Sequence, residues 1–369
     1  MENPSVCIAG FGEVMLRLSP SGSLRFAQAM PGTLQAIFGG GEANVCASIA
    51  QFGLQTRYLT TLPSNAIVDA MLCEMRGLGV DTTKILKTSK GRLGIYFAET
   101  GANQRGSSVV YDRAYSSISL AEPEEYDFEA MLAGVTWLHI TGITPSLSEA
   151  AFKSTLAITK LAAEKGIKIS CDLNFRKKLW KWRDGTTPKA LAAECMGQIV
   201  PYVDVIVGNE EDASDVFGIS ASGTSVEAGQ LNIAAYTEVA QALASRFPKA
   251  SKIAITLRES YSADHNNWGA MLYDVAEAKS YLAPLAADGS YCSYRIENIL
   301  DRIGGGDSFS AGLIYALNTP EYATNPQKAL AFAVAASCLK HSIYGDYNRV
   351  TVSEVASLMN GNASGRVMR

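Results

Sequence analysis

The chain has 369 residues, 47% of them hydrophobic and 18% charged, so it can bury a large core and is neither a disordered nor a fibrous polymer. Thirty-two lysines and arginines against 36 aspartates and glutamates leave a net charge of −4, which argues against a nucleic-acid or membrane-surface binder with a basic face. Any anionic ligand must be captured by local groups.

Met1 to Pro4 carry no basic stretch of the kind that opens a secretory leader, and a cytoplasmic protein is expected. Val6 to Ala9 opens a strand, Val14 to Leu18 alternates, three glycines precede a helix from Glu42 to Gln51, and Arg57 to Leu62 is a further strand. Leu93 to Glu99 and Ser108 to Tyr111 share the period-two pattern of Val14 to Leu18, which suits a sheet with one wet face. These segments are read as a small β lid, its strands drawn from approximately 13–38 and 84–118.

From about residue 130, β-branched apolar runs alternate with helical patterns: Trp137 to Thr141, a helix through Ala150 to Glu164, Ile167 to Cys171, then Val203 to Val207. That alternation marks βαβ units in a parallel sheet buried on both faces. Ile253 to Thr256 and Ala270 to Tyr273 read as strands, and helices near 307–317, 326–341 and 352–359 close the chain. The longest apolar stretch, Ala329 to Leu339, falls short of the ~18 residues a membrane span needs. No repeat or polar linker divides the chain, so one domain over 1–369 with its lid is expected.

Seven cysteines without a C-x-x-C and three dispersed histidines suggest neither a disulfide framework nor a zinc site. His139 reads as a core histidine. Gly10-Phe11-Gly12 resembles the start of a dinucleotide fingerprint, but Met15 stands where its third glycine belongs, and a tight turn is the better reading. No G-x-x-x-x-G-K-[ST] occurs, so any phosphate grip is built otherwise.

Asp301-Arg302-Ile303-Gly304-Gly305-Gly306-Asp307 leads into a helical run. Backbone without side chains can turn its N–H groups toward an anion there, at a helix end worth roughly +0.5 charge. Asp307 could accept a proton from a hydroxyl held beside that anion, or it could be an ordinary N-cap. Phe38-Gly39-Gly40-Gly41-Glu42-Ala43-Asn44 again brings glycines to a helix start, with an amide on its first turn.

Together these elements resemble the signatures of the ribokinase, or phosphofructokinase B, family of sugar kinases. The Gly-Gly…Asn element is similar to its sugar-binding motif, and Gly-Gly-Gly-Asp to its anion hole and catalytic aspartate. The resemblance implies an α/β fold, a three-layer α/β/α sandwich with a mostly parallel central sheet and a small β-sheet lid. It further implies that ATP and Mg²⁺ are used, that Gly304, Gly305 and Gly306 form the anion hole with Asp307 as base, and that Gly40, Gly41 and Asn44 hold the sugar.

Within the family the resemblance is strongest to kinases of 2-keto-3-deoxy sugar acids, because Asp172-Leu173-Asn174-Phe175-Arg176 followed by Leu179-Trp180 matches their D-x-N-x-R…L-W segment. A guanidinium fork grips a carboxylate bidentately, so Arg176 would read the acid; alone, it could equally sit in a surface ion pair. By the same resemblance Tyr96, Tyr111 and Arg113 close the lid over the substrate, Ile143 in the Gly-Ile-Thr-Pro turn lies against it, and Asp346 holds its hydroxyls. A solvated loop acid is the alternative for Asp346. Asn174, Asn209 and Thr256 fall to the nucleotide side. Two or more copies would pair through the lid.

Three segments depart from the family pattern. The N-x-x-E linked to magnesium-bound water reads Asn209-Glu210-Glu211-Asp212, so either Asp212 acts through a water or Glu211 takes over. Ser64 to Asp69 lacks the glycines of G-x-D-x-x-G, and Thr256-Leu257-Arg258-Glu259-Ser260-Tyr261 lacks those of T-x-G-x-x-G. Because non-glycine residues rarely take φ > 0, side chains must replace the backbone contacts there, with Arg258 the natural substitute. Arg258 could instead be a surface arginine answering Glu259. A kinase of a neutral sugar such as fructose or ribose, and an inactive sugar-acid-binding protein, are the alternative functions.

Overall fold

The computed structural model describes residues 6–209, 211–220 and 233–362. Met1 to Pro4 and Glu210, within the Asn209 to Asp212 motif, lie outside them.

Ten strands form the central sheet. Lys252–Ser260, Val205–Asn209, Lys168–Asp172, Trp137–Thr141, Cys7–Phe11, Gln55–Leu59 and Val80–Asp81 lie side by side in that order, all parallel. Asn266–Asp274 then continues the sheet antiparallel beyond Lys252–Ser260, and both Lys279–Ala283 and Tyr294–Ile296 pair with it. Strand residues alternate between two buried faces, as period two requires. Ile8, Val205, Val207 and Leu272 pack on Val45, Phe309, Leu313 and Val334 from the helices Gly41–Gln51, Gly305–Leu317 and Pro326–Lys340. On the opposite face Ala9, Ile140, Ile206 and Ile253 meet Phe152, Ile158, Met196 and Leu243 from Glu149–Glu164, Pro188–Ile199 and Ile233–Arg246. This is the expected three-layer sandwich. No helix among the described residues is long and apolar enough to cross a membrane.

The second sheet, Gln35–Gly39, Met15–Ser19, Gly94–Glu99 and Ser108–Asp112 in that order, is the lid. Its alternation is the reverse of what hydrophobicity predicts. In Met15–Ser19 the buried residues are Met15, Arg17 and Ser19, whereas Leu16 and Leu18 are half-buried; in Gly94–Glu99 they are Gly94, Tyr96 and Ala98, with Ile95 and Phe97 half-buried. The face that reads as wet is covered, because it closes over the cavity described below. Leu86–Thr88 falls inside the expected lid range but pairs with Thr61–Pro63 in a separate sheet. The strand expected over Arg57 to Leu62 is accordingly split between two sheets.

Two of the departures resolve into regular structure. Asn65 caps the helix Ala66–Gly77, its side chain accepting from the Val68 N–H at 3.0 Å, so glycines are not needed there. Thr256 to Ser260 continue the strand Lys252–Ser260, paired residue by residue with Asn266 to Ala270; an extended arm replaces the glycine turn. The helices Pro188–Ile199 and Ile233–Arg246 escape the sequence pattern because alanines on several faces blur the contrast between buried and exposed sides.

Candidate active site

Strands with parallel neighbours on both sides open a crevice at their carboxyl ends where the strand order reverses. Here that point is Cys7–Phe11, whose neighbours Gln55–Leu59 and Trp137–Thr141 both follow it in sequence. Glu13, Ile143, Asp172, Asn174 and Asn209, all at or just past strand ends, line one cavity of about 380 Å³, with the lid on one side. That volume suits a small ligand.

Every candidate residue except Glu211 lines this cavity: Gly40, Gly41, Asn44, Tyr96, Tyr111, Arg113, Ile143, Asn174, Arg176, Asn209, Asp212, Thr256, Arg258, Gly304, Gly305, Gly306, Asp307 and Asp346. Glu211 is exposed, and its backbone N–H caps onto Asn209 Oδ1 at 2.7 Å. Asp212 is the acid that faces the cavity, although its two oxygens already accept the N–H groups of Phe175 and Asn209, each at 2.9 Å. His139 is a core residue, its Nδ1 2.9 Å from Ser170 Oγ, with burial pushing its pKa down to about 3.

The glycine turn begins at Gly304, whose φ of +85° is the left-handed region that glycine tolerates. A Cβ there would also lie 2.3 Å from the Asp346 carbonyl oxygen, so both space and conformation demand glycine. The helix Gly305–Leu317 follows, its first turn lining the cavity, with the Gly305 N–H making only a long 3.4 Å bond to the Arg302 carbonyl. On its first turn Asp307 accepts a 2.6 Å hydrogen bond from Asn44 Nδ2, while Asn44 Oδ1 accepts the Gly40 N–H at 3.2 Å. The two glycine motifs thus meet through one amide. Asp307 is not the N-cap, which is Gly304; burial pushes its pKa up to about 6, against the opposing pull of Asn44 and Arg176. Its Oδ1 lies 3.6 Å from where a Cβ on Gly41 would stand, so that glycine keeps the front of the carboxylate open.

Sequence reasoning missed the charges that hold this geometry. Arg17 on the lid donates to Asp301 at 2.7 Å and to Asp346 at 3.0 Å, and all three are buried. Asp301 also accepts from the N–H groups of Ile303 and Gly345, which ties lid, glycine turn and the 345–346 loop together. Tyr96 Oη bonds Asp346, so the solvated-loop reading of Asp346 does not hold. Gly39 makes the approach possible, since a Cβ there would fall 2.1 Å from Asp346 Oδ2. Below the turn, the fully buried Lys340 donates to the Ile343 carbonyl at 3.0 Å.

Arg113, expected to bring free positive charge, is paired with buried Glu13 at 2.7 Å; the other Glu13 oxygen, Oε1, is buried without a partner. Glu42 sits behind the site with Oε1 accepting from Thr141 N–H, Thr141 Oγ1 and Thr144 Oγ1, and burial pushes its pKa up to about 7. By contrast, none of Arg176, Arg258 and Arg302 forms an ion pair among the described residues. Glu259 does not answer Arg258; it accepts from Asn267 Nδ2 at 2.8 Å. The Asp at the head of D-x-x-G-x-G-D was a usable signal for Asp301, but nothing in the sequence singles out Arg17.

The arrangement places a buried carboxylate, a helix N-terminus and three arginines without an ion pair among the described residues around one cavity, the equipment that phosphoryl transfer to a hydroxyl calls for. Comparison with known proteins agrees. The pfkB family carbohydrate kinase profile matches residues 11–257. The crystal structure of a 2-dehydro-3-deoxygluconokinase from Thermotoga maritima superposes with a TM-score of 0.85 at 39% identity, covering 96% of this chain and 100% of that one. A pfkB family carbohydrate kinase from Listeria grayi gives 0.83 at 30% identity over 96% of this chain and 99% of its own. Among curated relatives, a 2-dehydro-3-deoxygalactonokinase from Haloferax volcanii is 27% identical over 96% of this chain and 97% of its own length.

Proposed function

The chain belongs to the pfkB family of carbohydrate kinases, and on that premise we propose that it transfers the γ-phosphoryl group of ATP to the terminal primary hydroxyl of a 2-keto-3-deoxy sugar acid, 2-keto-3-deoxygluconate giving its 6-phosphate. The observation that carries this reading is Asp307, fixed by Asn44 in front of the glycine turn, with the unpaired Arg176 on the same cavity wall.

Asp307 accepts the hydroxyl proton as the hydroxyl oxygen bonds to the γ-phosphorus and the bond to the β,γ-bridging oxygen breaks, releasing ADP. N–H groups of the glycine turn donate to the phosphoryl oxygens at the positive end of the helix, that of Gly305 giving up its long 3.4 Å bond to the Arg302 carbonyl. Arg176 reads the carboxylate of the acid, Tyr96, Tyr111 and Asp346 order its oxygens from the lid side, and Ile143 packs against its carbon chain. Arg113 acts here as half of an ion pair with Glu13 rather than as a free charge.

The buried, unpartnered Nε of Arg302 and the glycine turn suit the phosphates of a nucleotide. Asn174, Asn209, Thr256 and Arg258 lie along that side. Among the described residues no group of three or more His, Cys, Asp or Glu could cage a metal, and Asp212 has both oxygens engaged, so Mg²⁺ fits as an ion carried by the nucleotide and met by Asp212 through water. When bound, Mg²⁺ neutralises phosphate charge. Half-buried Leu18 and Ile95 on the lid strands support pairing of copies through it, whereas Leu16 and Phe97 already pack within the chain, Phe97 edge-on against Phe26.

The names of the relatives favour two C4 epimers, the gluconate and the galactonate forms. ADP release measured with magnesium ATP across both keto-deoxy acids, aldonates and neutral hexoses is the test. Turnover confined to the keto-deoxy acids supports the reading; faster turnover of fructose or ribose replaces it with a neutral-sugar kinase, and no turnover anywhere with a binding protein.

A further inference from the structure

Lys252–Ser260 is separated from Cys7–Phe11 by four strand spacings in the sheet, roughly 19 Å at about 4.8 Å per strand. Glu13 and the lid therefore close one end of the cavity, and Thr256 and Arg258 the other. Thr256 and Arg258 are two apart on the strand and both line the cavity, while Leu257 between them is buried in the core on the opposite face. Arg302, two residues ahead of Gly304, reaches the same end. Its Nη2 is anchored on the carbonyls of Ala263 at 2.6 Å and Ser262 at 3.3 Å, at the tip of the hairpin that carries Arg258. Its Nε is buried and has no partner.

Two guanidinium groups share this end, and neither meets a carboxylate at ion-pair distance among the described residues. Arginine cannot relieve such crowding by losing a proton. Burial and the field of Arg258 both act to lower the Arg302 pKa, opposed by the carboxylate of Asp264. A buried donor left open costs free energy unless a ligand fills it, and two forks beside a helix N-terminus match an oligo-phosphate better than any neutral group.

We propose that Arg302 and Arg258 form a two-arginine clamp on the β- and γ-phosphates of the nucleotide, a role that replaces the absent glycine turn and places Arg302 in direct contact with the group being transferred. The inference rests on the kinase reading, but not on which sugar is phosphorylated. Arg258 grips from the strand, Arg302 from the root of the anion hole, and the two approach the phosphate chain from different elements. Because Nη2 of Arg302 is already committed to the hairpin carbonyls, Nε and Nη1 remain to donate.

The test is calorimetric titration of the purified protein with the magnesium complex of β,γ-imido-ATP, and separately with AMP, in the absence of any sugar. Arg258→Met and Arg302→Met should each weaken the triphosphate analogue by about tenfold or more, the scale of a lost charged hydrogen bond, and leave AMP binding within about twofold. Arg302→Lys, which keeps the charge and loses the fork, should fall between wild type and Arg302→Met, and it carries the test should Arg302→Met not fold. Unchanged affinity for the triphosphate analogue in Arg258→Met and Arg302→Lys overturns the clamp. So does an equal loss of AMP affinity, which would make these arginines supports of the hairpin. Wild-type protein that binds no nucleotide overturns both the clamp and the kinase reading, whereas a failure to phosphorylate sugar acids leaves the titration untouched.

Discussion

On the lid side of the cavity, every buried arginine meets a carboxylate: Arg17 lies between Asp301 and Asp346, and Arg113 against Glu13. On the sheet side, Arg258 and Arg302 face the same space, with Arg176 on the wall between, and among the described residues none of the three forms an ion pair. Charges removed from water must find partners or be penalised heavily, which accounts for the buried pairs; Arg176 and Arg258 stay exposed and Arg302 half-buried, so water serves them until a ligand binds. The paired set therefore fixes shape, joining lid, glycine turn and the 345–346 loop, while on the proposed function the second set is left to meet the anions of the substrates. Substitutions in the first set should show up in stability, and substitutions in the second in KM.

Between the two sets stands Asp307, where the largest effect is expected. Asp307→Asn should keep the fold and nucleotide binding while lowering kcat by ~10²- to 10⁴-fold, the usual contribution of a positioned base; steady-state kinetics on the folded variant checks it, and near-normal turnover would remove Asp307 from that role. Next, Arg17→Met leaves Asp301 and Asp346 buried without their cation and should cost about 3–5 kcal/mol of stability, read by urea denaturation. A loss below about 1 kcal/mol would show that the lid pairs do not hold the site together.

Arg176→Ala should then raise the barrier for the keto acid by about 2–5 kcal/mol in kcat/KM, since the bound acid would bury an arginine that is exposed before it binds, while residual activity on neutral sugars suffers much less. Equal losses on both would make Arg176 a support of the fold. Arg258→Ala is milder: stability within about ±0.5 kcal/mol, as for an exposed position, with the KM for ATP up several-fold and that for the sugar acid almost unchanged. Near neutral pH the smallest effect is in pH itself. Asp307 must be ionised to take a proton, and its pKa of about 6 lies above the ordinary aspartate value. Hence kcat/KM should be half-maximal near pH 6 and fall about tenfold per unit below it; a profile flat down to pH 5 would contradict that assignment.

The parts legible in the sequence are those written as local pattern. Trp137–Thr141 alternates between two apolar faces, and its bounds follow directly; the glycines before Asn44 and Asp307 mark helix starts because only backbone can approach there. What stayed hidden depends on distant partners. Arg17 sits in a strand whose leucines suggest the opposite face is buried, and only Asp301 and Asp346, supplied from the far end of the chain, explain why the arginine is covered instead. Arg113 was legible as a cavity residue but not as the partner of Glu13, for the same reason. Arg258 was legible because a glycine was missing; the regular strand that takes the place of the turn was not, since its pairing with Asn266–Asp274 is set by the hairpin as a whole.

Phosphorus NMR of the product tests the central claim most directly, that this cavity passes a phosphoryl group from ATP to the terminal hydroxyl of a keto-deoxy sugar acid. With magnesium ATP and 2-keto-3-deoxygluconate, a single new phosphomonoester coupled to the terminal CH₂ protons should grow in step with ADP and be absent with Asp307→Asn. ADP appearing together with free phosphate only, or an ester formed at another carbon or faster on fructose, would contradict it.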